Sequence, residues 1–483
     1  MKVKSIKVNA LLNVIYTITN MIFPLITYPY VTRILSATGM GKVSFFTSVS
    51  NYAVMIGSLG ISTYGIRAVA KARDDKERLS KVATELLILN SIITAIVIIT
   101  MLLSVPFVRK FGAEPVLLII NLVIIATTPF GMTWLYSGLE QYGYITKRNI
   151  AFKCLSLILV FVFVKKEDDY PIYAAITAFS SIASYLCNLF YSRRFLKFHN
   201  LNGLEYKKHL KPMLLLFASI LAVSVYTNLD TVMLGFINGD REVGLYTVAT
   251  KIKWLLLSSV NAVSAVLLPR LSNYFSNNEV EKYNAELKKS VSFIFLITLP
   301  LALYFILESF DSIMFMGGSD YSDAVLCMQL LMPILIISGF SNVTGNQILI
   351  PQGRDSQFMI AVVTGAVVDV IGNAILMPTL GCTGAAIATL IAEFAQMSVQ
   401  FCYCKKDIMP NINIQTIIKA LIAATISGLV CGILRRLVDI MSIINLLITS
   451  IVFFAVYAII LILMKEPYLM EIIQFVRKKL LRV

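Results

Sequence analysis

The stretch GKVSFFTSVSNYAVMIGSLGIS, residues 41–62, decides the fold because the chain repeats its pattern once. The second copy is GLYTVATKIKWLLLSSVNAVSA, residues 244–265, so that Gly41 corresponds to Gly244 at an offset of 203 positions. Both copies follow a short turn and carry mostly polar or small side chains at helical spacing along one face. These positions are Ser44, Ser48, Asn51, Met55, Ser58 and Ser62 in the first copy, and Thr247, Lys251, Trp254, Ser258, Asn261 and Ala265 in the second. The repeat predicts two related lobes.

The composition places both lobes in a membrane. The chain has 483 residues, of which 58% are hydrophobic and only 14% are charged. Soluble domains average about 25% charged residues. A net charge of +15 therefore has to be interpreted first as a topology signal, and it does not predict a nucleic-acid partner. We expect an all-α protein that crosses the lipid bilayer many times.

Fourteen segments approach the length of about 20 apolar residues that a spanning helix needs. They are residues 8–32, 43–66, 82–108, 115–139, 149–164, 170–192, 212–237, 243–269, 290–309, 324–350, 357–378, 382–404, 415–434 and 441–464. Roughly three times as many Lys and Arg residues lie on the side that holds the N-terminus as on the other side, which predicts that both termini are cytoplasmic. The basic, periodically apolar tail 465–483 is predicted to lie on the inner membrane surface as an amphipathic segment.

The repeat groups these spans into lobes. Residues 1–200 form the predicted N-terminal six-helix lobe, residues 201–407 form its C-terminal copy, and residues 408–464 add helices 13 and 14. An even number of spans in each copy gives both the same orientation, so their pseudo-two-fold axis runs along the membrane normal. The polar faces then line a central cavity, and the face continues in span one through Asn20. The alternative is that small polar residues only help helices to pack.

Ionisable groups inside spans are functional candidates because each costs about 2.5–3.5 kcal/mol at mid-helix. Asp230 in span seven and Lys251 in span eight are each predicted roughly 10 Å from the outer ends of their helices. They either form a salt bridge or act separately. Asp369 and Asn373 share one face of span eleven, and Thr389 shares a face of span twelve with Glu393. Their oxygens suit Na⁺ or a proton relay, or else hydrogen bonds between helices.

Basic side chains also lie at the ends of spans. Arg33 and Lys42 flank the turn between spans one and two, and Arg148 and Lys153 flank the start of span five. Such residues either snorkel to lipid headgroups or receive an anionic group from a substrate.

Cysteine and histidine give no metal or redox motif. The seven cysteines are scattered and are interpreted as small packing residues. His199 and His209 lie in one polar loop, where we expect solvated side chains. No cofactor is predicted beyond a coupling Na⁺ or H⁺.

Four segments carry a resemblance to a known family. They are PYVTRILSATGMGKVSFF (29–46), TWLYSGLEQYGYITKRN (133–149), TNLDTVMLGFINGDREVGLYTVATK (227–251) and PTLGCTGAAIATLIAE (378–393). Together they resemble the Wzx-type polysaccharide flippases of the multidrug/oligosaccharidyl-lipid/polysaccharide exporter superfamily. The resemblance covers essentially the whole chain.

The resemblance implies a function. Such a flippase moves an undecaprenyl-diphosphate-linked oligosaccharide from the inner to the outer leaflet of a bacterial plasma membrane by alternating access, and a polysaccharide polymerase is an expected partner. Lys251 matches a basic cavity position of the related lipid II flippases. Asp230, Asp369, Asn373 and Thr389 fall near their sodium site, with the acid and the amide of span eleven exchanged. The expected substrate-cavity residues are Lys251, Arg33, Lys42, Arg148, Lys153, Asn51 and Asn20.

Two other functions are compatible with parts of the sequence. A multidrug/cation antiporter of the same superfamily would need an acidic cavity, which the basic candidates disfavour. A membrane-embedded glycan polymerase would need a catalytic constellation. The longest outer loop, 310–323, holds Asp311, Asp320 and Asp323 but no basic or histidine partner. A transporter that is not an enzyme is therefore predicted. GMGK, residues 39–42, is no P-loop, because Ser36 and Val43 depart from the pattern.

Overall fold

The computed structural model describes residues 6–197, 203–437, 442–471 and 474. Within them every regular element is helical, and nine helical stretches are long and apolar enough to cross a membrane by length and composition. The prediction of an all-α membrane protein is confirmed, whereas the count of fourteen spans stays a prediction. The chain divides into two compact units, Met1–Gly235 and Phe236–Val483. The predicted lobe boundary at residue 200 stays a prediction.

The first unit contains the helices that correspond to predicted spans one to seven. In chain order they are α1 (Ile6–Ser58), α2 (Ile61–Ala72), α3 (Lys76–Ser104), α4 (Arg109–Ala113), α5 (Pro115–Thr127), α6 (Thr133–Gly138), α7 (Tyr142–Phe163), α8 (Tyr170–Ser192) and α9 (Lys207–Ile237).

Local sequence explains several helix ends of this unit. The carboxylate of Asp75 accepts hydrogen bonds from the backbone N–H groups of Glu77 and Arg78, which caps α3. Pro115 occupies the first turn of α5, where a missing N–H costs nothing. Gly60 separates α1 from α2 with a φ of 79°, and a Cβ there would lie 2.6 Å from the backbone oxygen of Met213. Span two therefore bends against the start of α9.

The second unit holds the counterparts of spans eight to fourteen. Its helices are α10 (Asp240–Ser276), α11 (Val280–Leu307), α12 (Ser309–Met316), α13 (Ala324–Leu331), α14 (Ile334–Asn342), α15 (Asp355–Ile408), α16 (Ile414–Leu437) and α17 (Ser442–Leu463). A π-helix, Val343–Leu349, extends α14. Helices α10, α13, α14 and α15 pack together, and α16 and α17 pack on α11 and α12.

The internal repeat reappears in the backbone. The helix α1 includes predicted spans one and two and is interrupted at Ser36, with φ 59° and ψ 173°. Between α9 and α10 stands Gly239, with φ 98° and ψ −175°. The offset from Ser36 to Gly239 is again 203 positions, the offset of the sequence repeat. Each copy therefore turns from its first to its second helix through one left-handed residue.

In each copy the regular α-helix of the fourth span is interrupted. The interruption is hydrogen-bonded to the side-chain amide of a residue in the sixth span. In the first unit a 3₁₀ turn, Thr128–Gly131, joins α5 to α6, and the side chain of Asn188 donates to the backbone oxygen of Gly131. In the second unit the π-helix contains Thr344, whose hydroxyl donates to Gln400 Oε1 at 2.7 Å. Asn188 and Gln400 are both fully buried. Both copies thus interrupt the fourth span at a buried amide, the first with a 3₁₀ turn and the second with a π-helix.

Candidate functional site

The predicted substrate residues of the first unit lie in separate environments. Lys42 Nζ is 2.5 Å from Glu114 Oε1, and the hydroxyl of Tyr170 donates to Glu114 Oε2 at 2.9 Å. Lys42 also lies over the Tyr170 ring, 4.7 Å from its centroid. The exposed Arg33 donates to the backbone oxygen of Pro29, one turn earlier on α1. Lys42 is thus held in an ion pair, whereas Arg33 presents its side chain at the surface.

Arg148 belongs to a polar network at the start of α7. It donates to the side-chain oxygen of Asn188, whose own amide donates to Gly131 and whose backbone oxygen accepts from the hydroxyl of Tyr136. The guanidinium also faces the Tyr144 ring at 5.6 Å. The network joins α6, α7, α8 and the break in span four, so Arg148 is oriented from several sides.

The remaining cavity candidates of this unit differ in their exposure. Lys153 is half-buried, with its ammonium 5.8 Å from the ring of Phe23 on α1. Asn51 is exposed, although Ser48 and Met55 on the same predicted face are buried. The predicted polar face of span two is therefore only partly accessible. Asn20 lies in α1, and its side chain is outside the part of the chain that the structure describes.

Lys251 lies on the accessible face of α10. Its ammonium is 5.7 Å from the centroid of the Trp254 ring, and Trp254 is exposed. The predicted face of this helix is accessible at each position from Thr247 to Asn261, whereas Tyr246 and Ile252 on the other side are buried. The second copy therefore presents its predicted face from Thr247 to Asn261, with a half-buried cation within it.

The ion-coupling candidates of the second unit are buried where α15 folds back on itself. Gly381, with φ 55°, separates the two halves of this helix. A Cβ on Gly372 would lie 3.0 Å from that of Ala388, so the halves touch almost backbone to backbone. Asp369 lies one turn before Gly372 on the same face, and Thr389 is next to Ala388.

Side chains with oxygen atoms lie at this contact between the two halves of α15. Asp369, Asn373 and Thr389 are all buried, and the hydroxyl groups of Thr389 and Tyr246 are 3.1 Å apart. Through Tyr246, α10 thus contacts the second half of α15 at Thr389. Asp230 is buried as well and belongs to the first unit.

Three interpretations made from the sequence are wrong. His209 is not solvated: it is buried, and its Nε2 lies 2.7 Å from Glu85 Oε2. His199 is outside the described residues.

The acidic residues of the loop 310–323 do have basic partners elsewhere in the chain. Arg241 lies 3.0 Å from Asp323 and 3.8 Å from Asp320, and Arg435 lies 3.5 Å from Asp311. The third, that all seven cysteines pack inside the protein, holds for the buried Cys327, Cys382, Cys404 and Cys431 and is wrong for Cys154, Cys187 and Cys402, which are exposed.

Glu85 is a buried residue with several polar partners that the sequence did not single out. Its fully buried carboxylate accepts hydrogen bonds from the backbone N–H of Glu205 at 2.7 Å and from Lys208 Nζ at 3.2 Å, besides the contact with His209. The hydroxyl of Tyr64 lies 2.7 Å from the other ring nitrogen of His209. The pKa of Lys208 is raised because hydrogen bonds to Glu85 and Glu205 outweigh the lowering effect of burial. A charged residue inside predicted span three was the available signal.

The comparisons with known proteins identify the family. A family model described as "Polysaccharide biosynthesis protein" matches residues 6–275, more than half of the chain. The chain belongs to this family. A second model, described as MatE, matches residues 216–375 of this polysaccharide biosynthesis protein. The resemblance to Wzx-type flippases of the exporter superfamily is thereby confirmed.

One relative and two solved structures extend this result. A protein of Escherichia coli (strain K12) named "Putative O-antigen transporter" is 24% identical over 409 residues, which cover 82% of this chain and 96% of that protein. A structure of the lipid II flippase MurJ in an inward closed conformation aligns with a TM-score of 0.78 at 16% identity, covering 94% of this chain and 99% of that one. An inward-facing multidrug resistance MATE transporter aligns with a TM-score of 0.64 at 17% identity, covering 80% and 94%. Both structures share the fold of this polysaccharide biosynthesis protein.

Proposed function

We propose that this polysaccharide biosynthesis protein is a flippase for lipid-linked oligosaccharides. The observation that carries the proposal is the relative named as an O-antigen transporter, which aligns over 82% of this chain and 96% of its own length. The fold supports it, since the flippase structure aligns with 94% of the chain and the multidrug transporter with 80%. The protein acts as a transporter and not as an enzyme.

The finer substrate proposal is an oligosaccharide linked through diphosphate to undecaprenol. A diphosphate in a membrane needs cations, and a glycan needs a wet, polar surface. The accessible face of α10 with Lys251 offers both. Arg148 and Lys153 on α7, with Arg33 and Lys42 at the far end of span one, are the further cations that meet the diphosphate. Asn51 and Asn20 are the proposed hydrogen-bonding partners of the glycan.

Coupling to an ion gradient completes the proposed mechanism. Asp369, Asn373 and Thr389 supply carboxylate, amide and hydroxyl oxygens at one buried contact, and Asp230 is the fourth candidate. Such oxygens suit Na⁺ or a proton. Release of the ion would favour one access state over the other, because a ligand shifts an equilibrium by its difference in affinity for the two states.

The proposed setting is a bacterial plasma membrane with both termini in the cytoplasm. The substrate is then loaded from the inner leaflet and released into the outer one, where a polysaccharide polymerase is the proposed next partner. The basic bias of the loops on the side of the termini supports this orientation.

Lipid analysis after depletion tests the function. Lipid-linked glycans are extracted from cells that lack the protein, and the diphosphate-linked repeat unit should accumulate on the cytoplasmic leaflet. The wild-type chain and Lys253→Ala should clear it, whereas Lys251→Ala should not, although both variants reach the membrane. Unchanged lipid intermediates, together with retention of cationic dyes, would support the multidrug antiporter instead.

A further inference from the structure

The start of α9 carries basic and apolar side chains on one face. Lys207, Leu210, Lys211, Leu214 and Leu215 recur at helical spacing and border an open space of about 600 Å³. Both lysines are exposed, and the side chains of Leu214 and Leu215 are 51% and 67% exposed. Among the described residues, no other helix lines this space. In a membrane protein such a face is left for lipid molecules to cover.

The two kinds of side chain lie at successive levels of the helix. Lys207 and Lys211 precede the predicted span 212–237, whereas Leu214 and Leu215 lie inside it. At about 1.5 Å per residue, the leucines are roughly 5–12 Å further along the helix axis than the lysines. A phospholipid has the same order, because its phosphate lies at the membrane surface and its acyl chains lie below. The face therefore matches a phosphate followed by hydrocarbon.

The two lysines of this face are available to bind an anion. Lys208, which lies between them in the sequence, is already paired: its Nζ is 3.0 Å from Glu85 Oε2 and 3.2 Å from Glu205 Oε2. In the described part of the chain, no carboxylate lies within salt-bridge distance of Lys207 or Lys211. Two unpaired ammonium groups at a membrane surface attract anionic lipid.

The opposite face of the same two turns is fixed to other helices. His209 is buried, with its Nε2 2.7 Å from Glu85 Oε2, and Met213 is buried one turn later. A Cβ on Gly60 would lie 2.6 Å from the backbone oxygen of Met213, so α9 touches the bend between α1 and α2 at this point. Because these contacts set the rotation of the helix, the two unpaired lysines are held on its outward side.

We propose that this face of α9 binds an anionic phospholipid, with the lipid phosphate between Lys207 and Lys211 and an acyl chain on Leu214 and Leu215. The occupant is a lipid and not a soluble anion, because the leucines continue the site into hydrocarbon. A zwitterionic lipid binds more weakly, since its own ammonium offsets the charge that the lysines attract. The site is separate from the proposed transport function and is testable without a transported substrate.

Photo-crosslinking of the purified full-length chain tests this. Phosphatidylcholine nanodiscs that contain a photoactivatable phosphatidylglycerol are irradiated, and mass spectrometry measures the crosslinking yield on residues 207–215. The yield over a range of lipid fractions gives an apparent affinity. Lys207→Gln and Lys211→Gln should each weaken this affinity about fivefold, and the double variant should weaken it about 30-fold.

Lys208→Gln is the matched control for these variants. It removes the same charge from the same turn, but from a side chain that is already bound to Glu85 and Glu205. It should change the affinity less than about twofold. Leu214→Ser should weaken the binding of phosphatidylglycerol as well, and inorganic phosphate should not compete. In discs of phosphatidylcholine alone, all these variants should unfold at the wild-type Tm.

Three outcomes would overturn the proposal. The first is wild-type affinity in the double variant, or an equal yield from a photoactivatable phosphatidylcholine. The second is a loss in Lys208→Gln as large as that in Lys211→Gln, because the attraction would then be a general effect of charge. The third is competition by millimolar inorganic phosphate together with unchanged affinity in Leu214→Ser, because the ligand would then be a soluble anion.

Discussion

Ser36, with φ 59° and ψ 173°, and Gly239, with φ 98° and ψ −175°, occupy the same backbone region at equivalent positions of the two internal copies. Both have a left-handed φ with ψ near 180°, and both stand between the first and second helices of their copy. This region of φ and ψ is essentially confined to glycine, and a side chain there costs about 1–3 kcal/mol. The first copy therefore carries strain that the second avoids.

The first prediction tests that strain with Gly239→Ala. A Cβ at Gly239 would meet nothing within 4 Å, so any loss comes from the backbone alone. We expect a loss of about 1–3 kcal/mol. Ser36→Gly should gain about 1 kcal/mol or less, because added freedom in the unfolded chain offsets the relief. Thermal unfolding in detergent measures both.

Gly432→Ala is the control for this pair. Gly432 has equally open surroundings but lies inside α16 without a positive φ. It should lose no stability. Equal losses for Gly239→Ala and Gly432→Ala would show that the left-handed turn carries no special cost.

The second prediction concerns Glu85 and His209. Glu85→Ala leaves the imidazole and the backbone N–H of Glu205 without their acceptor inside the first unit, and we expect a loss of about 3–5 kcal/mol. Lys208→Ala should cost less than about 1 kcal/mol, since its side chain is partly exposed. Hydrogen exchange of residues 203–211 should accelerate in Glu85→Ala and stay nearly unchanged in Lys208→Ala. Similar exchange in the two variants would contradict the anchoring role of Glu85.

The third prediction addresses the network of Arg148 and Asn188. Asn188→Leu removes the acceptor of Arg148 and the donor to Gly131, so we expect a loss of about 2 kcal/mol for buried groups left unpaired. Arg148→Met in the same background should add little further loss, because the two residues share one network. Thermal stability of the four members of this double-mutant cycle measures the coupling, and strictly additive losses would refute it.

The fourth prediction separates coupling from packing at α15. Asp369→Asn keeps the size of the side chain but removes its charge, so transport in vesicles should lose its dependence on a Na⁺ or proton gradient. Asp407→Asn, near the end of the same helix, should keep that dependence, since Asp407 is tied to Arg354 at 3.0 Å and not to the buried oxygens. Gradient dependence that survives in Asp369→Asn would assign this residue to packing.

Local pattern was enough to predict the helices and the repeat. The apolar segments depend only on neighbouring residues, and the repeat is visible when the sequence is compared with itself at an offset of 203 positions. That offset also relates Ser36 to Gly239. The accessible face of α10 around Lys251 follows from helical spacing in the same way. The buried oxygens of Asp369 and Asn373 follow from their positions one turn apart.

Hydrogen bonds and ion pairs between residues that are distant in the sequence could not be predicted. His209 looked like a loop residue because its partner, Glu85, precedes it by 124 positions. Asp323 looked unpaired for the same reason, since Arg241 lies 82 positions earlier. The π-helix has no local signature either: its winding is supported by contacts such as that of Ser290 with Gln347 at 2.6 Å.

The last helix, α17, is hydrogen-bonded to α11 near both of its ends. Near one end, Tyr304 donates to the backbone oxygen of Leu446 at 2.9 Å, and towards the other, Tyr457 donates to that of Leu296 at 2.8 Å. Bonds at two separated levels resist sliding of α17 along α11 but permit the two helices to tilt together. If the second unit rocks during transport, α17 would therefore move with α11, and a probe attached to α17 would report the angle of α11.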